Sequence, residues 1–228
     1  DIKGTRVKTH DIYFRQEGNK MIGESTLLLA NEGPQPLPTP VLYLNPGLRV
    51  TALRGHDNEE LPYHRESQAI ILQTPLPPGE ETLVRLTYEG PIDEAVCFPD
   101  FTDEEFHDTR LRCFFRGYDS RFRHGRCFAR VGDNYTLLFP ECLWYPVAIP
   151  PVNVNTPLAR QYDFTRYRLK VGNVGQRVAI SQGKMTTNGD TAIFTNHQPL
   201  PSLTLAIGTY EREAIVLDSL TLELYYFP

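Results

Sequence analysis

Four prolines crowd the stretch Phe139–Pro151, which reads Phe-Pro-Glu-Cys-Leu-Trp-Tyr-Pro-Val-Ala-Ile-Pro-Pro and holds the only tryptophan, Trp144. Each proline fixes its own φ, removes a backbone donor and pushes the preceding residue towards extended geometry. The stretch therefore reads as neither helix nor central strand. We expect a rigid, extended, aromatic connector. It divides a first half of short strands and charge blocks from a cleaner series of alternating strands after Tyr162.

The pattern on both sides is β. Val7–Phe14 and Met21–Ala30 flank a Gly18-Asn19 turn and read as an opening hairpin. Short strands are expected at Val41–Leu44, Leu48–Leu53, Gln68–Gln73 and Thr82–Tyr88, punctuated by Asn45-Pro46-Gly47 and by proline-rich turns. The face of Thr82–Tyr88 is left open, because its apolar residues keep no strict alternation. After the connector, Asp163–Val171 places Tyr167, Leu169 and Val171 on one face and Arg166, Arg168 and Lys170 on the other. Arg177–Ser181, the Asn188-Gly189-Asp190 hairpin with arms Lys184–Thr187 and Thr191–Thr195, Leu203–Tyr210, Ala214–Leu217 and Leu220–Phe227 complete the series. Strands this short and this regularly punctuated point to one all-β domain over 1–228, a saddle-like antiparallel β-sandwich with at most one or two short helices. The strand pattern that runs to Pro228 leads us to expect a fragment of a longer chain.

Between these halves, Asp93–Asp108 carries seven acids, and Arg110–Arg130 carries seven arginines interleaved with aromatics. An arginine–aromatic run can bind polyanions, but the acidic block directly upstream can neutralise it, and the net charge of −5 gives no reason to expect nucleic acid. Arg121 and Arg123 are the candidates for a partner surface, with Trp144 and Tyr145 as a possible aromatic interaction surface. Thr102-Asp103-Glu104-Glu105 resembles a helix start. No apolar run approaches the ~18–20 residues that span a bilayer. The cysteines Cys97, Cys113, Cys127 and Cys142 lack a Cys-x-x-Cys pair, which leaves buried thiols and one disulfide as the two readings. His10, His56, His64, His107, His124 and His197 are scattered, with His124 and Cys127 the nearest pair, so no metal site is expected. No serine sits in a Gly-x-Ser-x-Gly elbow.

The order of motifs resembles the N-terminal β domain of the M1 family of zinc aminopeptidases. The motifs are Leu44–Val50, Ile70–Gln73, Leu76–Glu80 and Leu83–Gly90 with Ile92, then Tyr167–Val171, Ala179–Lys184 and Leu205–Tyr210. Trp144-Tyr145-Pro146 stands where many members have a Pro-Cys-Asp-Glu-Pro-like run. That departure suggests a divergent branch, similar to M1-like domains that bacteria fuse to membrane permease segments. The resemblance implies a non-catalytic domain that packs on a downstream zinc domain and shapes its cleft, in an extracytoplasmic, membrane-anchored parent. It implies no cofactor here, since the His-Glu-x-x-His helix that holds zinc would lie beyond Pro228. It also implies that Glu141 meets the free amine of a peptide substrate, a charge-assisted contact; the plain alternative is a loop acid. A protein- or glycan-binding sandwich without peptidase activity is the other functional reading.

Overall fold

The computed structural model describes residues 5–93, 129–149 and 163–228. In chain order its strands are β1 (Arg6–Glu17), β2 (Lys20–Ala30), β3 (Val41–Tyr43), β4 (Arg49–Arg54), β5 (Tyr63–Glu66), β6 (Ala69–Leu72) and β7 (Glu81–Gly90). After the charge blocks come β8 (Tyr135–Leu138), β9 (Arg166–Gly172), β10 (Val178–Ile180), β11 (Lys184–Asn188), β12 (Thr191–Thr195), β13 (Leu205–Gly208), β14 (Glu211–Leu217) and β15 (Leu220–Tyr226). The all-β sandwich is the fold found. Apart from Asp93 and Arg130, the acidic and arginine blocks, including Arg121 and Arg123, lie outside the described residues, as do the possible helix start at Thr102 and Cys97, Cys113 and Cys127. Among the described residues no helix is long and apolar enough to cross a membrane.

The large sheet has the order β11-β12-β9-β1-β2-β7-β4. Its spine is the β1–β2 hairpin, in register from Glu17 opposite Lys20 to Arg6 opposite Ala30, with Gly18 taking φ 59° in the turn. One neighbour pair departs from the antiparallel expectation: β9 runs parallel to β1, with Tyr167 beside His10 and Leu169 beside Ile12. A parallel pair needs a long crossover, and the chain supplies one by building β2 to β8 in between. Two smaller sheets, β3-β6-β5 and β10-β13-β8, contribute Leu42, Ile70 and Leu72, and Ala179, Leu205, Ile207 and Leu138, to the same hydrophobic cluster as the large sheet.

Two irregularities account for what the pattern obscured. A β-bulge between Val7 and Thr9 shifts the phase of β1, so that Val7 is buried on one side of it and His10, Ile12 and Phe14 on the other. In β7 the inward face is Val84, Leu86 and Tyr88. The outward Leu83 is opposite Leu28 of β2 and only half-covered, and this outer aliphatic pair masks the alternation. Sequence pattern missed β5 and β8. Tyr63-His-Arg-Glu is polar because β5 is an exposed edge, and β8 is only four residues long.

The turn after β3 ties the halves together. The Asn45 amide donates to the carbonyls of Cys142 at 2.7 Å and Asp93 at 3.0 Å, and its Oδ1 accepts from the backbone N–H of Gly47 and Asp93, both at 2.9 Å. Asn45 is fully buried and all four bonds are backbone contacts. Gly47 and Gly90 press together beside it: a Cβ on Gly90, which has φ 143°, would come within 2.3 Å of the Gly47 carbonyl. Only glycine fits that approach. Asn45→Ala leaves several buried backbone groups unpartnered and should cost about 3–5 kcal/mol in urea unfolding. Asn45→Asp, which turns an acceptor towards two carbonyls, should be no milder.

Candidate functional site

The connector is not extended throughout. It opens with a 3-10 turn at Pro140–Cys142, in which Cys142 N–H donates to Phe139 O at 3.1 Å and Leu143 N–H to Pro140 O at 3.0 Å. The expectation of purely extended chain fails because Pro140 sits at the first position of the turn, where a missing N–H costs nothing and the fixed φ is already helical. Leu143 ends the turn in the left-handed region, at φ 53° and ψ 42°. Its carbonyl then accepts from Asn45 N–H at 2.9 Å, and Val147 exchanges two backbone bonds with Tyr43 at 2.7 and 3.0 Å. Cys142 is buried, with its thiol 2.9 Å from Phe139 O.

The expected aromatic surface at Trp144 and Tyr145 is interior instead: the two are 0% and 1% exposed. The Trp144 ring meets Tyr145 edge-on at 4.6 Å and Phe14 at 6.2 Å, and its indole N–H donates to Leu203 O at 3.3 Å. Leu203 N–H donates in turn to the Tyr145 hydroxyl at 2.9 Å. Both polar tips are thus satisfied inside, which is what lets these aromatics fill the core. Burial pushes the Tyr145 hydroxyl well above its ordinary range, with Tyr167 adding to the effect.

Glu141 stands on the 3-10 turn, half-buried, and lines a cavity of about 50 Å³ with Val7, His10, Tyr145, Asp163 and Tyr167. Among the described residues nothing forms a hydrogen bond or ion pair with its carboxylate. The opposite carboxylate is already engaged: Asp163 accepts from Arg6 Nε and from Val7 N–H, both at 2.6 Å. Of the two acids among the described lining residues, Glu141 is the one without a hydrogen-bond or ion-pair partner among the described residues.

His10 was legible only as one scattered histidine. The structure places its Nε2 2.9 Å from Ser25 Oγ, which lies 3.2 Å from the Tyr88 hydroxyl. Tyr145 and Tyr167 hold its ring at 5.6 and 5.8 Å. The pair resembles a base and nucleophile, but His10 and Ser25 are 1% and 2% exposed. Burial also lowers the His10 pKa to about 3, far from a working general base. The trio is a core polar network. Among the described residues no three His, Cys, Asp or Glu side chains are grouped to hold a metal ion; His107, His124 and Cys127 lie outside them.

Because folding lowers the pKa of His10, the unfolded chain binds the extra proton. Stability from this group is present above pH 6.5 and is lost as pH falls from 6.5 towards 3. The loss between pH 7 and pH 4.5 should be about 2.5 kcal/mol. His10→Gln should flatten that slope in urea unfolding, and the His10 ring in the wild type should stay neutral by NMR down to pH 4.5. A second expectation is optical: Trp144 should emit as a buried indole and ignore added oligosaccharide.

No protein-family model matches the sequence, and a search of curated proteins gives no match. Solved structures do match in fold. A variant of an M1 zinc metallopeptidase from Deinococcus radiodurans superposes with a TM-score of 0.63 and 20% identity, over 97% of this chain and 47% of its own. A two-domain M1 zinc metallopeptidase variant bound to L-tryptophan gives 0.61 and 20% identity, again over 97% and 47%. Aminopeptidase A of Legionella pneumophila, in complex with aspartic acid, gives 0.69 and 13% identity over 99% of this chain and 24% of its own. The chain spans about half the length of the first of these enzymes and about a quarter of the last. At such identities the fold is what is shared, and it is the β fold of M1 zinc metallopeptidases that the sequence motifs resemble.

Proposed function

We propose that this chain is the non-catalytic N-terminal β domain of an M1-like metallopeptidase homologue. In this reading it packs on a downstream zinc domain and presents Glu141 at the amine-binding end of the cleft. The observation that carries the reading is the fold match over 97% of this chain and 47% of a two-domain metallopeptidase. Glu141 adds to it: its carboxylate is held on a proline-started turn anchored through Leu143 to Asn45, beside a cavity, with its acceptor capacity unspent. Such a support fixes the carboxylate's position before any ligand arrives, which is how a charged contact selects for an N-terminal ammonium. The grouped metal ligands of a peptidase are not found among the described residues, so no chemical step is assigned to this chain. Burial of Trp144 removes the observation on which a glycan-stacking module would rest.

Purified 1–228 should show no zinc-dependent aminopeptidase activity; a robust signal would sink the proposal. The native polypeptide should continue past Pro228 into a zinc-binding domain, read by peptide mapping and metal content. In that longer protein Glu141→Gln should raise KM for substrates with a free N-terminal amine by tenfold or more, with Tm unchanged. An unchanged KM would reduce Glu141 to a loop acid.

A further inference from the structure

The outer face of the large sheet carries two opposed cations at its β4 edge. Leu53 is opposite Leu86, and both are buried; one step on, Arg54 is opposite Arg85, and this pair turns to the other face. Directly opposed residues of an antiparallel pair hold their Cβ atoms about 4.5–5.5 Å apart, and like charges in that relation destabilise the pairing. Among the described residues neither guanidinium forms an ion pair. The loop after β4 brings three acids past them without neutralising either. Asp57 lies 4.0 Å from His56 Nε2, the Glu59 carboxylate lies over Gly55, and Glu60 is bridged to Arg54 through the backbone.

A guanidinium has five N–H donors to place. Arg85 sets its Nη1 on the carbonyls of Gly55 and His56, at 2.9 and 3.0 Å. Arg54 is served less well. Its Nη1 donates to Asn58 Oδ1 at 3.2 Å, at the surface, and its Nε is buried with no partner. Among the described residues no other buried side-chain nitrogen or oxygen is left in that state. A stranded buried donor and two opposed cations each cost stability, and a single anion between the two side chains relieves both.

We propose that Arg54 and Arg85 form a binding site for a small oxyanion, phosphate or sulfate. The oxyanion accepts from both guanidiniums, the charge-assisted contact for which the planar arginine fork is built. Arg85 is the fixed half of the site, held by its two carbonyls. Arg54 is the half that moves. Exchanging its bond to Asn58 for an anion oxygen lets the side chain turn out of the position that strands Nε. The pair stands on the face of the sheet opposite His10 and the cavity beside Glu141, so the proposal is independent of the domain's proposed role.

The test titrates sodium phosphate and sodium sulfate separately into this chain at pH 7, against sodium chloride at matched ionic strength. The readouts are the Arg54 Nε–H resonance by NMR and the Tm. The resonance should shift saturably, with a Kd on the order of 1 mM for the tighter anion, and Tm should rise by about 2 °C or more where chloride leaves both unmoved. The tighter of the two anions identifies the ligand. Arg54→Gln should weaken binding at least tenfold. In chloride its Tm should be no lower than that of the wild type, because the stranded donor and the repulsion are both gone. Arg54→Lys, which keeps the charge and loses the fork, should weaken binding at least fivefold. A response no larger than that to chloride overturns the proposal, as does Arg54→Gln or Arg54→Lys binding as well as the wild type. A Tm more than about 2 °C lower for Arg54→Gln in chloride also overturns it, since Arg54 would then be stabilising the protein without an anion.

Discussion

Four hydrogen bonds from one amide hold the two halves of this protein in place. Asn45 reaches the connector through Cys142 O and the end of β7 through both backbone groups of Asp93, while it also closes its own turn on Gly47. A buried amide has two donors and a carbonyl with two lone pairs, and here all four are used. Arg65 reinforces the same point from β5, donating to Asn45 O at 2.8 Å and also to Leu48 O. Because the bonds go to backbone, they constrain chain path rather than side-chain identity. The 3-10 turn, and with it Glu141, inherits its position from this junction.

The core pays for its polarity in a consistent way. Trp144 and Tyr145 reach Leu203 with their polar tips, His10 reaches Ser25, and Ser25 reaches Tyr88. Each of these polar tips meets a partner, so the aromatics contribute apolar area without leaving donors stranded; Arg54 Nε is a buried side-chain atom that does not. The arrangement also explains why a histidine next to a serine signals no catalysis here. Proximity without access to solvent, and with a pKa lowered to about 3, leaves the imidazole neutral and inert at physiological pH. Glu141 is placed the opposite way, half-exposed beside the cavity and without a hydrogen-bond partner among the described residues.

The C-terminal hairpin shows where the chain's own packing ends. In β1, β2, β7, β9 and β12 the alternating apolar face is buried in the core; at β14–β15 Ile215, Leu217, Leu220, Leu222 and Leu224 alternate as well but are exposed.

The strand-rich class, the β1–β2 hairpin, the inward face of β9 and the later hairpins were legible in sequence, because period-2 alternation and turn residues are local properties. The arginine-rich outer face of β9 made Tyr167, Leu169 and Val171 unmistakable. The M1-like motif order was legible too, since it depends only on linear sequence, and it carried Glu141 as a candidate. The burial of Trp144 and Tyr145 was not, because an aromatic next to prolines looks the same in a core and on a binding surface until its neighbours are known. The phase shift in β1, the parallel pairing of β1 with β9, the Gly47–Gly90 contact and the cavity beside Glu141 all join residues far apart in the chain. Local chemistry set which segments extend and which turn; only tertiary packing decided which apolar residues became core and which polar ones found partners.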